Sequence, residues 1–196
     1  MKVEPICLDG DFVRLEPLRT EHVDALAEFA FDDSLWRWTT NVITDLVDLK
    51  RYVEIALDER HRGVSLPFVT VEKASDRIVG STRFGNIDVS NRKAEIGWTW
   101  ISPQWQQTFV NTEAKLLMLS HAFEIWKCIR VELKTDALNE KSRNAILRIG
   151  ASEEGVLRNH MITDTGRFRD TAYFSIIEKE WDAVKANLKE KLRSNE

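Results

Sequence analysis

The chain has 196 residues, and 43% of them are hydrophobic, which fits one globular domain with a substantial core. Its formal net charge is −4 and its basic residues are scattered, so no bulk attraction to nucleic acid is expected. The N-terminus lacks an apolar signal core, and no apolar run is long enough to span a bilayer. These properties predict a soluble cytoplasmic protein in which Cys7 and Cys128 are reduced thiols.

Strand and helix patterns alternate along the first half of the chain. The predicted strands are 11–17, 67–72 and 78–87, and the predicted helices begin at Thr20 and span 45–62. Trp36 and Trp38 lie in the loop between these two helices. Because tryptophan is costly to expose, each of them either packs under the core or lines a pocket.

The centre of the chain is a nearly continuous apolar run over 94–101, interrupted only by Glu95. Such a run predicts a strand that is covered on both faces of a sheet, with Ile96, Trp98 and Trp100 on one face. We therefore predict a buried strand around which the rest of the chain is organised.

A polar turn over 104–108 separates this strand from a long helix that Thr112 and Glu113 are expected to open. An acidic residue in the first turn complements the helix dipole, and the apolar residues over 114–126 predict that the helix is largely buried. A strand that leads into a helix N-terminus can form a backbone anion site. The alternative is an ordinary strand–helix connection that binds nothing.

The C-terminal part of the chain is predicted to continue the sheet and to end in a helix. Its elements are a strand over 130–135, a helix over 137–149, a hairpin of strands over 153–161 and 168–177, and a tail helix from Glu178. Trp181, Val184 and Leu188 form the packed side of the tail helix. No repeat or linker interrupts the chain, so we predict one domain over residues 1–196, with an α+β (mixed α/β) sheet and helices on both faces.

Three stretches are the most distinctive parts of the sequence: EIGWTWI at 95–101, WQQTFVNTEAK at 105–115 and RVELKTDALNEKSRNAILRIGA at 130–151. Together they resemble the GNAT superfamily of acetyl-CoA-dependent N-acetyltransferases, and within it the RimJ/RimL-like ribosomal-protein N-terminal acetyltransferases. The resemblance extends from about Leu8 to Glu180. It implies a mixed, mostly antiparallel sheet of about seven strands, with a V-shaped splay between the fourth and fifth strands that admits the pantetheine arm of acetyl-CoA.

The resemblance also implies a set of cofactor contacts. The backbone of two strand residues would pair with pantetheine and a loop would wrap the pyrophosphate: Trp100 and Ile101, then Gln106, Gln107, Thr108, Phe109, Val110, Asn111 and Thr112. The family pattern in this loop, Arg/Gln-x-x-Gly-x-Gly/Ala, has glycines where this chain has Phe109 and Asn111. Glycine allows the backbone to approach phosphate closely, and Phe109 would place bulk there if its side chain pointed inward.

Acyl transfer from a thioester to an amine needs orientation, an oxyanion donor, a proton acceptor and a proton source near the sulfur, without a metal or a covalent nucleophile. The resemblance assigns the contact with the departing thiolate to Ser142. It assigns a contact with the pantetheine or the acetyl carbonyl to Asn139. The alternative for both residues is capping of the short helix that follows, and for Asn139 the two roles can coexist.

The sequence leaves the general base open. Glu95 lies in a hydrophobic strand, where it either acts through water or is paired by Arg83 or Arg169. His160 is a candidate because histidine commonly serves as a general base, and its alternative is an ordinary exposed histidine at a strand end. Asp88 is a weaker candidate, and bulk water is a further alternative.

We assign the acceptor side to four residues: Trp36, Trp38, Arg83 and Asp88. The predicted function is transfer of an acetyl group from acetyl-CoA to a primary amine, on a protein N-terminus or a small molecule, with CoA as product and no metal. The alternative is a non-catalytic acyl-CoA sensor or interaction module, which the altered glycines and Met161, in place of a family glutamate, motivate. No nucleic acid or membrane partner is expected, and a homodimer is left open.

Overall fold

The computed structural model describes residues 1–193, so the last three residues of the predicted tail helix lie outside the described residues. Its centre is a sheet of eight strands in the order β1-β2-β3-β4-β5-β6-β8-β7. The strands are β1 (Leu8–Asp9), β2 (Val13–Pro17), β3 (Leu66–Glu72), β4 (Arg77–Asp88), β5 (Lys93–Ile101), β6 (Arg130–Asp136), β7 (Ser152–Ile162) and β8 (Phe168–Ile177). Neighbouring strands are antiparallel except β5 and β6, which confirms the predicted mixed sheet. The additional strand is β1, whose two residues are too few to show an alternating pattern.

Helices cover both faces of this sheet, as predicted. They are α1 (Val23–Ala30), α2 (Leu46–His61), α3 (Phe109–Ser120), α4 (Glu140–Arg148) and α5 (Trp181–Arg193). One hydrophobic cluster joins the sheet to α3 and α5, and a second joins it to α1 and α2. The consecutive β3 residues Phe68 and Val69 belong to different clusters, so the two clusters lie on opposite faces.

The sheet opens between β5 and β6. Within residues 1–193, the pairing of these two strands is confined to Lys93, Ala94 and Glu95 opposite Arg130, Val131 and Glu132. Beyond those pairs, residues 97–101 of β5 and 133–136 of β6 border a gap, which we call the cleft. The predicted V-shaped splay between the fourth and fifth predicted strands is therefore present, at β5 and β6.

A β-bulge distorts β5 at the point where the cleft begins. Ser81 of β4 faces Trp100, whereas Arg83 faces Gly97, so β5 contains one residue more than β4 over this interval. Trp98 has a φ of 49°, in the left-handed region that residues other than glycine rarely adopt.

The bulge corrects the prediction that three alternate residues of β5 share one face. Ile96 belongs to the cluster with α3, whereas Trp100 belongs to the cluster with α1 and α2. Trp98 is 38% exposed, so the strand is not covered on both sides along its whole length. The additional residue reverses the side on which the following side chains lie.

The start of α3 corrects a second prediction. The helix begins at Phe109 with Thr108 as its N-cap, whose Oγ1 accepts the Val110 N–H at 3.3 Å. Glu113 therefore lies in the second turn and is only 2% exposed. Its carboxylate accepts the backbone N–H groups of residues 11–13 at 2.8, 2.8 and 2.6 Å. This carboxylate therefore pairs with backbone N–H groups of another segment and does not complement the dipole of its own helix.

Candidate active site

The loop between β5 and α3 is tied to both walls of the cleft. The Gln106 side chain donates a hydrogen bond to the Ile101 carbonyl at 2.9 Å and accepts one from Lys141 Nζ at 2.5 Å. Gln107 has a φ of 63°, which turns the chain into Thr108. The first turn of α3 then presents backbone N–H groups that have no intrahelical acceptor, so it is suited to bind an anion.

The aromatic ring of Phe109 is directed toward the core. Its centroid lies 5.0 Å from that of Phe12 and 6.2 Å from that of Trp105, and it packs against the main hydrophobic cluster. The bulky Phe109 side chain, which would have filled the loop if it pointed inward, therefore packs against β2 and the segment before it. The Phe109 ring packs against neighbouring aromatic rings, and the loop still leads into a helix N-terminus despite the absence of the family's glycines.

Asn139 and Ser142 lie at the N-terminus of α4, beside this loop. Asn139 Oδ1 accepts the backbone N–H of Ser142 at 3.0 Å, so the capping alternative for Asn139 is realised. The bond from Lys141 to Gln106 brings the two helix N-termini together. Capping uses the Asn139 oxygen and the Ser142 backbone, so the Asn139 amide N–H groups and the Ser142 hydroxyl retain hydrogen bonding capacity for a ligand.

Glu95 is paired by residues other than those predicted. It is 3% exposed, its Oε2 accepts a hydrogen bond from Asn86 at 2.7 Å, and Lys134 Nζ lies 2.9 Å from the same oxygen. The predicted partners are engaged elsewhere: Arg83 pairs with Glu59 at 2.9 Å, and Arg169 lies 3.8 Å from Asp136. Parallel pairing of Glu95 with Glu132 brings Lys134, two residues farther along β6, within reach of this carboxylate.

His160 and Glu95 face the same side of the sheet but do not touch. His160 is exposed on β7, its Nδ1 lies 3.1 Å from Thr171 Oγ1, and its ring meets Tyr173 edge-on at 5.7 Å. Lys134 Nζ lies 5.8 Å from the Tyr173 ring centroid and so stands between the two candidate bases. This exposure agrees with the alternative of an ordinary strand-end histidine.

Trp36 packs under the core and also lines a pocket. Its Nε1 donates to the Ala30 carbonyl at 2.6 Å, and its ring lies 5.2 Å from that of Trp100. It borders a pocket of about 180 Å³ together with Arg37 and Arg167. Trp38 is half-buried beside this pocket, with the same two guanidinium groups 5.0 and 5.7 Å from its ring.

Arg83 and Trp98 form a second cluster on the same side of the sheet. The Arg83 guanidinium lies 5.0 Å from the Trp98 ring and 4.9 Å from that of Tyr52, and Lys134 Nζ lies 5.9 Å from Trp98. Gly85 provides the space for the Trp98 ring, because a Cβ at Gly85 would lie 2.2 Å from a ring carbon. Sequence reasoning did not assign the side chains of Trp98, Tyr52 or Lys134 to a site, since their grouping depends on the bulge.

Asp88 does not join these acceptor-side residues. It lies at the end of β4 in the turn toward β5, where its carboxylate accepts hydrogen bonds from Ser90 and Asn91 at 2.7 to 2.9 Å. These hydrogen bonds lower the pKa of Asp88 to about 2. This turn lies at the end of β5 that pairs with β6, and the cleft opens at the other end.

Lys115 is a further residue near the cleft, the last residue of a motif that carries the family resemblance, and sequence reasoning assigned it no role. It lies on α3 and is only 5% exposed, and its Nζ donates to Thr99 Oγ1 at 2.9 Å. Burial lowers the pKa of Lys115 to about 7. Thr99 belongs to the bulged part of β5, so this buried amine lies directly behind the cleft wall.

A family model described as an acetyltransferase (GNAT) domain matches residues 13–152, which is most of the chain and includes the bulge, the loop and both helix N-termini. The chain belongs to this family. The predicted resemblance is therefore confirmed. Among residues 1–193, no helix combines the length and the apolar character needed to cross a bilayer.

Similar proteins are known from several bacteria. YdaF of Bacillus subtilis, provisionally named a ribosomal N-acetyltransferase, is 35% identical over 108 residues, which span 55% of this chain and 58% of that protein. A GCN5-related N-acetyltransferase from Brucella melitensis has a TM-score of 0.89 and 29% identity, over 96% of this chain and 86% of that one. RimJ of Mycobacterium smegmatis in complex with CoA-disulfide shares the fold, with a TM-score of 0.77 at 24% identity, over 91% of this chain and 88% of that one.

Proposed function

We propose that this protein transfers an acetyl group from acetyl-CoA to a primary amine by direct attack in a ternary complex. The observation that carries the proposal is the coincidence of three features at one end of β5. Strand pairing with β6 stops after Glu95, the bulge occurs at Trp98, and the N-terminus of α3 follows at Phe109. Together they offer an open strand edge for an extended amide chain and a helix N-terminus for its phosphates.

The residues that would hold the cofactor follow from this arrangement. The backbone of Trp100 and Ile101 borders the cleft, and the segment from Gln106 to Thr112 surrounds the N-terminus of α3. Asn139 and Ser142 approach the cleft from α4. When bound, acetyl-CoA supplies an activated acyl group, and these residues hold and orient it against the amine.

The acceptor would enter on the side of the sheet that carries Trp98, Lys134 and His160. A primary amine must lose a proton during attack, and Glu95 or His160 can accept it through water. Glu95 is held by Lys134 and Asn86, which fixes the position of its carboxylate. The name of YdaF, a ribosomal N-acetyltransferase, favours a protein amine such as an N-terminus as acceptor, and a small-molecule amine is the other class to be tested.

A turnover assay tests this function directly. Release of the CoA thiol from acetyl-CoA is followed with a panel of N-terminal peptides, amino acids and polyamines, and mass spectrometry identifies the acetylated product. The proposal predicts an acetylated amine and a matching amount of free thiol. Tight acetyl-CoA binding without turnover on any amine would instead support a non-catalytic acyl-CoA sensor.

A charge variant in the loop tests where the cofactor binds. Asn111→Asp adds a carboxylate to the first turn of α3, which favours the helix dipole but repels phosphate. We expect at least about tenfold weaker acetyl-CoA binding, measured by calorimetry, with no loss of thermal stability. Asn187→Asp makes the same chemical change on α5 and should leave the affinity unchanged. Equal affinities in both variants would contradict the assignment of the loop.

A further inference from the structure

Lys115 is a buried lysine beside the cleft whose hydrogen-bond partner is a neutral hydroxyl. The residue is only 5% exposed, and within residues 1–193 its ammonium donates to the hydroxyl of Thr99 alone, although an ammonium has three donors. In the part of the chain that the structure describes, no carboxylate lies within salt-bridge distance of Lys115. Burial of an uncompensated cation is costly, so the cost is relieved either by loss of the proton or by an opposite charge that a ligand brings into the cleft.

A hydrogen-bonded group links Lys115 to the part of β5 that borders the cleft. Thr99 Oγ1 accepts from Lys115 and lies 2.7 Å from Thr82 Oγ1, which belongs to β4 opposite the bulge. Thr99 is exposed, whereas Lys115 and Thr82 are buried. The Thr99 hydroxyl also lies 3.4 Å from the Gly97 carbonyl, a long hydrogen bond that a nearer acceptor in the cleft could replace. Thr99 can therefore accept from Lys115 and, being exposed, donate its own hydrogen to a ligand.

We propose that Thr99 contacts the sulfur of the cofactor in the cleft and that Lys115 is the positioning residue behind it, supplying charge and a proton to the departing thiolate. This inference rests on the proposed acetyl transfer. As the new C–N bond forms, the C–S bond breaks and its electron pair moves to sulfur. The Thr99 hydroxyl gives its proton to the sulfur and is reprotonated by the Lys115 ammonium. The proton lost by the amine passes to solvent, from which Lys115 is recharged.

Ser142 is the other candidate for contact with the departing thiolate, and it occupies a different place in the fold. Ser142 lies at the N-terminus of α4, whereas Thr99 and Lys115 lie on β5 and α3. The lowered pKa of Lys115, about 7, suits a group that gives and regains a proton near neutral pH. Lys115 and Ser142 can therefore be separated by experiment.

The test is the pKa of the CoA thiol when it is bound to the protein, followed by the ultraviolet absorbance of the thiolate. In the wild type we expect this pKa to lie at least about one unit below that of free CoA, a tenfold stabilisation of the thiolate. Lys115→Met and Thr99→Val should abolish the shift, and Thr99→Ser, which keeps the hydroxyl, should restore it. In steady state, Lys115→Met should lower kcat at least about tenfold with the KM for acetyl-CoA little changed.

The outcomes separate this inference from the proposed function. If CoA binds and acetyl transfer proceeds, but Lys115→Met and Thr99→Val leave the thiol pKa at the wild-type value, the role of Lys115 is overturned and the acetyltransferase stands. A shift that disappears only in Ser142→Ala also overturns it and assigns the thiolate to α4. Absence of CoA binding to the wild type overturns both proposals.

Discussion

Two charged side chains lie two residues apart on α3, and the chain treats them in opposite ways. Glu113 faces the segment before β2 and accepts three backbone N–H groups, so its buried charge is fully compensated. Lys115 faces the bulge of β5 and has one neutral hydroxyl as its partner. The Glu113 side of α3 stabilises the fold, whereas the Lys115 side places a buried amine with a neutral partner beside the cleft.

This difference separates a structural charge from a functional one. A buried ion that the fold satisfies contributes to stability, and its removal leaves donors without acceptors. A buried ion that the fold does not satisfy lowers stability, and its energetic cost is recovered only when an opposite charge is present. The two sides of α3 should therefore respond to substitution with opposite signs.

The largest effect is expected at Glu113. Glu113→Gln removes the charge and turns an amide NH2 group toward the donors at residues 11–13, so we expect a loss of about 3–5 kcal/mol in the free energy of unfolding. Chemical denaturation measures this free energy of unfolding. The exposed Glu54 of α2 gives a matched control, and Glu54→Gln should change stability by less than about 0.5 kcal/mol. Equal changes in the free energy of unfolding of the two variants would show that the buried carboxylate of Glu113 does not stabilise the fold.

At Lys115 we expect substitution to increase the free energy of unfolding instead of lowering it. Lys115→Met keeps the length of the side chain and removes the buried cation, so we expect a gain of about 1–4 kcal/mol at pH 6. Burial lowers the folded-state pKa of Lys115 from 10.5 to about 7, so the unfolded chain binds this proton more strongly between these values. The cost of Lys115 is therefore complete below pH 7 and fades as the pH rises toward 10.5. A variant that is destabilised at pH 6, or equally stabilised at pH 6 and pH 10, would refute this account.

A smaller effect is expected at Asn139, where capping and ligand binding can be separated. Asn139→Ala should cost about 1 kcal/mol because α4 loses its N-cap, whereas Asn139→Asp keeps a cap and should retain stability. Asn139→Asp removes the amide N–H groups, so it should weaken acetyl-CoA binding if these contact the cofactor. Wild-type stability and affinity in Asn139→Asp would limit this residue to capping.

Most of the fold could be predicted from the sequence because the periodic apolar patterns of strands and helices are local properties. The hairpin of β7 and β8 and the packed side of α5, formed by Trp181, Val184 and Leu188, follow from such patterns. The bulge at Trp98 could not be predicted in this way, since an additional residue in a continuous apolar run leaves the pattern unchanged. The predicted shared face of β5 was wrong for that reason.

The candidate site was predictable only where short motifs identify it. The loop from Gln106 to Thr112 and the N-terminus of α4 came from the family resemblance, whereas the start of α3 was placed several residues too late. The partner of Glu95 depends on the register of two parallel strands, which no local pattern contains. Lys115 resembles any lysine on a helix until its contact with Thr99 is known.

In the proposed function, acetyl-CoA binds in the cleft between β5 and β6 and against the N-terminus of α3. Thermal unfolding with and without acetyl-CoA tests it most directly. At a ligand concentration a hundredfold above the dissociation constant, stabilisation should be about 2.7 kcal/mol. For a domain of this size the midpoint should rise by roughly 5–10 °C, and the rise should be smaller in Asn111→Asp at the same ligand concentration. An unchanged midpoint at millimolar acetyl-CoA would contradict the cofactor site and the acetyl transfer proposed from it.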